Sequence, residues 1–137
     1  MKARYFTLID SPENISAANL AYIGDAVYEL LVRERLLRIP EGNAHPGNYA
    51  LAYVTAAAQS AALARIEESL TPDELAVYKR GRNCVHGNVP KSATAQDYRR
   101  ATGLEALMGY LWLDGKSERA RELFDIAFPA NPEKAGE

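Results

Sequence analysis

The feature that most constrains this chain is a pair of stretches that are apolar almost all the way round a helix, each interrupted by acid. Leu20, Ile23, Val27, Leu30 and Leu31 recur at helical spacing, which predicts a helix over residues 16–38. From Ala17 through Val32 its only charges are Asp25 and Glu29, one turn apart on one side. A later stretch repeats the pattern: from Ala101 to Leu113 the single charge is Glu105, with Ala101, Gly109 and Trp112 on its own face. A helix apolar nearly all round is expected at the centre of a fold, so both acids are expected out of water.

An ionised carboxylate away from water is costly unless it is paired, protonated or bound to a cation. The small neighbours Ala18, Ala21, Ala101 and Gly109 leave room for a hydrated ion. Mg²⁺ suits one or two carboxylates plus several waters at about 2.1 Å, so Asp25 and Glu105 read as a hard-cation site. The competing reading, ordinary ion pairs to Arg33, Arg99 or Arg100, stays open at this level. Glu29 has Arg33 one turn on and reads first as half of a helix-surface pair, with an outer-sphere role at the metal as its other candidacy.

The remaining pattern predicts an all-α bundle of about five main helices. Pro40 and Gly42 end the first helix. An alanine-rich segment predicts a second, continuous helix over residues 49–69. Thr71-Pro72-Asp73-Glu74 matches a capping box with proline at the first helical position, opening a third helix that should stop at Gly81. The loop from Gly81 to Pro90 has no periodicity and is expected to be mobile and functional. Further helices are expected over 95–113 and 116–128, and no segment alternates with period two. The 137 residues are expected to form one domain over 1–137, with a core at 16–128 and peripheral ends at 1–15 and 129–137. No stretch is apolar enough to span a bilayer or to serve as a secretory leader, so a cytoplasmic protein with no membrane partner is expected. Cys84 is the only cysteine, and with His86 and His45 it makes no zinc-ligand spacing. Neither a P-loop nor a dinucleotide fingerprint is present.

Charge is distributed unevenly. Lys79, Arg80, Arg82, Lys91, Arg99 and Arg100 stand against one acid, Asp97, a local charge of +5 on a chain of net charge −2, so the rest carries −7. A charge run is most often a solvated face. This one ends on the helix that carries Glu105, which would set phosphates beside a divalent-metal site and favours phosphodiester cleavage.

The segments LAYIGDAVYE (Leu20 to Glu29) and KRGRN…GNVPKSATAQDYRRATGLEALMGYL (Lys79 to Leu111) closely resemble the signature segments of the ribonuclease III catalytic domain, and more narrowly its miniature branch, Mini-ribonuclease III, which lacks a separate double-stranded-RNA-binding domain. The resemblance implies a homodimeric endoribonuclease that cuts double-stranded RNA to leave 5′-phosphate and 3′-hydroxyl ends, with the 23S ribosomal RNA precursor as substrate. It implies Asp25 and Glu105 as catalytic metal ligands, with Mg²⁺ as the ion and Mn²⁺ as a substitute. Lys79, Arg80, Arg82, Asn83, Lys91, Arg99 and Arg100 are the candidates for RNA backbone contacts. Where larger relatives carry further acids, this chain has Ala18, Ala21 and Thr102, and it has no Lys or Arg from Ile39 to Leu63. The rival reading from another class is a non-catalytic helical RNA-binding or ribosome-assembly factor.

Overall fold

The computed structural model describes residues 11–39, 49–85, 89–91 and 93–129. Among them are six α-helices and no strand: α1 (Ala17–Arg38), α2 (Leu51–Val54), α3 (Ala56–Ile66), α4 (Pro72–Asn83), α5 (Ala95–Leu113) and α6 (Ser117–Ala127). Four of them start on a hydroxyl side chain that accepts an otherwise orphaned backbone N–H. Ser16 accepts from Asn19, Thr55 from Ala58, Thr71 from Glu74 and Thr94 from Asp97. The expected capping box is present in both directions, since the Thr71 N–H also donates to Glu74 Oε1 at 2.9 Å.

Helix α5 is the axis of the bundle and packs against α1, α4, α3 and α6. Leu104, Leu107, Met108 and Leu111 bury there against Leu20, Tyr28, Leu31, Leu63, Ile66 and Leu123. The closest approach is backbone to backbone. A Cβ built on Gly24 would lie 1.5 Å from the Glu105 carbonyl oxygen, and one on Gly109 would lie 2.0 Å from that of Leu20. Only glycine fits either position, and the pair fixes where α1 crosses α5. At the far end, α6 is tied down by arginines: Arg65 donates to the Ala127 carbonyl, and buried Arg35 donates to the Phe128 carbonyl and to Asp125.

Three sequence expectations are corrected. The helix over 49–69 is broken at Thr55, whose backbone is extended (φ −67°, ψ 155°), and its last turn is a 3-10 turn, Glu67–Ser69. Tertiary bonds hold the break: the buried Tyr28 hydroxyl donates to the Tyr53 carbonyl and Gln59 Nε2 to that of Val54. Helix α1 is not buried all round, because no helix among the described residues covers its outer side. Tyr22 is 78% exposed, Leu30 43% and Leu37 61%. Asp25 lies on that open side rather than in the core. Helix α4 also runs on past Gly81 to Asn83. The expectations for residues 1–10, 40–48 and 130–137, for His45 and His86, and for the middle of the loop at 86–88 lie outside the described residues.

Candidate active site

The Gly24–Gly109 crossing brings the two lone acids together. Asp25 follows the glycine that rests on the backbone of Glu105, so its carboxyl stands beside that of Glu105 at the edge of the seam. Asp25 is exposed and Glu105 half-buried. Burial pushes the Glu105 carboxyl up, and a hydrogen bond to Asp25 and the nearby charge of Asp25 push it further, to about 8. Both burial and Asp25 favour the protonated form of Glu105. Tyr28, below them, has its phenol held well above its ordinary range by burial first and by the Glu105 charge second.

No ion pair among the described residues includes Asp25 or Glu105. Arg33 pairs with Glu29 at 2.8 Å, both side chains exposed, which is the helix-surface pair its spacing predicts. Among the described residues no cluster of three or more His, Cys, Asp or Glu could hold a metal. Two carboxylates with no cation paired to them among the described residues, near the small residues Ala21 and Ala101, have the chemistry to suit an ion that keeps most of its water.

The basic candidates divide. Arg82, Asn83, Gln96, Arg99 and Arg100 enclose a groove of about 300 Å³ where the end of α4 meets the start of α5. Arg82 donates to Asn83 at 3.0 Å and lies over the Tyr78 ring. Lys79 and Lys91 are exposed and outside this groove. Arg80 is engaged elsewhere: its guanidinium donates to the Glu13 and Ile15 carbonyls at 3.1 and 2.8 Å, strapping the N-terminal segment onto α4.

A second groove, which sequence reasoning missed, adjoins Glu105. It encloses about 540 Å³ between the α2–α3 break and the first turns of α5, and its walls include Thr55, Gln59, Asp97, Tyr98, Ala101 and Glu105. Half of the signal was available, because 97, 101 and 105 fall four apart on one helix face. The half contributed by α3 depends on the break at Thr55.

Comparison with known proteins converges on one family. The ribonuclease III domain model matches residues 18–116. A Mini-ribonuclease 3 of Symbiobacterium thermophilum is 43% identical over 120 residues, covering 85% of this chain and 91% of the relative. That of Brevibacillus brevis is 45% identical over 112 residues, covering 80% and 82%. A solved protein of Fusobacterium nucleatum superposes with a TM-score of 0.74 at 29% identity, covering 90% of this chain and 96% of that one. A helical domain with its lone acids paired on a glycine crossing, and with this set of relatives, belongs to the ribonuclease III domain family, in its miniature branch, and is a double-strand-specific endoribonuclease.

Proposed function

We propose that this protein is a Mg²⁺-dependent, homodimeric enzyme that cuts double-stranded RNA to leave 5′-phosphate and 3′-hydroxyl ends, acting in the cytoplasm on the 23S ribosomal RNA precursor. The observation that carries the metal assignment is the Asp25–Glu105 pair, two adjoining acids with no ion-pair partner among the described residues. Asp25 and Glu105 would hold Mg²⁺, or Mn²⁺ in its place. The ion supplies a water of lowered pKa and stabilises the leaving oxygen. Glu105 would give up its proton to hold the ion, and its half-buried position would keep the resulting charge out of bulk water. Glu29 sits one turn from Asp25, where it can receive a hydrogen bond from water.

Arg82, Asn83, Arg99 and Arg100 form the strand-gripping groove, with exposed Lys79 and Lys91 adding charge around it. In A-form RNA such contacts go to phosphates and 2′-hydroxyls rather than to base edges. Arg80, held by two backbone carbonyls, contributes charge from further back. Dimer formation is supported by the open side of α1, where Ala18, Tyr22 and Ala26 are exposed at successive turns. A two-fold partner on that face would bring one acid pair to each strand of a duplex.

The test is incubation of the protein with duplex RNA, with Mg²⁺ and then with a chelator. Cut product with 5′-phosphate ends in the first case and none in the second is the expected result. Duplex binding without cutting under both conditions would support a non-catalytic RNA-binding factor instead. Mapping ribosomal RNA precursor ends in cells lacking the protein tests the natural substrate.

A further inference from the structure

The groove of about 300 Å³ where α4 ends and α5 begins is lined by Arg82, Asn83, Gln96, Arg99 and Arg100, and Gln96 has no role in the account so far. The three guanidiniums form no ion pair among the described residues, so their charge is left to an anion. A guanidinium can only donate hydrogen bonds. Asn83 adds to the donors, because its Oδ1 already accepts from Arg82 Nε at 3.0 Å and its Nδ2 hydrogens are left to offer. Turning that amide over would set N–H against N–H, so its orientation follows from the bond. Gln96 stands apart. It is uncharged and exposed, and among the described residues it brings the one side-chain carbonyl of the groove that no neighbour engages.

This uneven set of donors and acceptors fits a ribonucleotide. A phosphate diester only accepts, so it satisfies the guanidiniums and Asn83 but has nothing to give the Gln96 carbonyl. In RNA the ribose beside that phosphate carries a 2′-hydroxyl, which can donate and which DNA lacks. The groove is also set back from the bond to be cut. Gln96 and Glu105 are nine residues apart on α5, about 13 Å along the axis and on opposite sides of it.

We propose that Gln96 is a specificity-determining residue, whose Oε1 accepts the 2′-hydroxyl of the nucleotide whose phosphate Arg82, Arg99 and Arg100 hold. This rests on the strand-gripping role given to that groove above. The test uses a short duplex with one mapped cut, made as a set in which one nucleotide at a time is 2′-deoxy or 2′-fluoro. The fluoro sugar keeps the RNA pucker but cannot donate, so a position weakened by both replacements is read through its hydroxyl rather than its shape. Equilibrium binding is measured with chelator, and steady-state cleavage with Mg²⁺, for wild type, Gln96→Met and Gln96→Glu. Wild type should lose about fivefold in affinity at a position away from the cut, with the loss falling on KM rather than kcat. Gln96→Met, which keeps the length but not the acceptor, should bind the unmodified duplex about fivefold more weakly and show no penalty at that position. Gln96→Glu, which keeps an acceptor but not the amide donors, should bind more weakly throughout and retain the penalty.

A profile that Gln96→Met leaves unchanged overturns the proposal. So does loss of the dependence in Gln96→Glu, which would make Gln96 a phosphate donor, and so does a wild-type scan with no sensitive position away from the cut. Wild-type duplex affinity in Arg100→Ala would overturn the strand-gripping role itself, a separate result.

Discussion

Two glutamates of this molecule are withdrawn from water, and they behave in opposite ways. Glu74 begins α4 with its side chain 6% exposed. Burial pushes its carboxyl up, but the Arg119 guanidinium, donating at 2.9 Å from both Nε and Nη2, and the Thr71 N–H more than offset this and leave it below its usual range. Glu105 feels the same push from burial, and its neighbour Asp25 adds to it, so its carboxyl titrates at about 8. Burial pushes both carboxyls in the same direction. What differs is the source of the positive charge: α6 supplies it to Glu74, whereas nothing in the described chain supplies it to Glu105. The first is a strut between α4 and α6, and the second is the acid that the proposed function assigns to an ion from solution.

Removing an acid from each pair separates the roles most sharply. Asp25→Asn should lower single-turnover cleavage at least roughly a thousandfold without lowering the thermal midpoint, and a loss below tenfold would contradict the account. Glu74→Ala should do the reverse. It leaves Arg119 short of its partner and costs about 3 kcal/mol in denaturant unfolding, while cleavage per folded molecule stays within about twofold because the strut is remote from the acids. Gly24→Ala should do both kinds of damage. Its Cβ meets the Glu105 carbonyl oxygen at 1.5 Å, so the helices must part, at a cost of about 3 kcal/mol and with the acids separated.

A pH series sharpens the same contrast. In metal-free protein the unfolded chain gives up the Glu105 proton near 4.5 and the folded chain keeps it to about 8. The contribution is therefore complete below 4.5 and is lost as pH rises through that window, by up to about 1.4 kcal/mol per unit. Glu105→Gln, or saturating Mg²⁺, should flatten this slope. Glu74 works with the opposite sign: its contribution is present above its ordinary range and is lost as pH falls.

The smallest effect concerns the arginines. Arg100→Ala should reduce the salt dependence of duplex binding by about one in the log–log slope. Arg80→Ala, whose guanidinium is occupied by the Glu13 and Ile15 carbonyls, should change it by less.

Sequence reading found the acids, the capping box and the long helices because each is written in local order. Lone charges at Asp25 and Glu105 stand out against apolar periodicity, and Thr71 to Glu74 encode their own bonds. What escaped it depends on tertiary contact. The alanine-rich segment after Tyr49 favours helix throughout, and the break at Thr55 exists because Tyr28 and Gln59 hold the carbonyls of Tyr53 and Val54. Gly24 and Gly109 look like unremarkable helix interruptions until their partners are known, though they are what brings the acids together. The exposure of Asp25 and Tyr22 was hidden for a related reason, since apolar residues on α1 do not reveal which side lacks a neighbour within one chain.

The most direct test of the acid pair as a cation site is the titration of the Glu105 side-chain carboxyl by ¹³C NMR, with and without Mg²⁺. Without the ion it should titrate near 8, and with saturating Mg²⁺ it should fall to the ordinary 4.5 or lower. A carboxyl that titrates near 4.5 in the absence of metal, or one that Mg²⁺ does not move, would contradict the account.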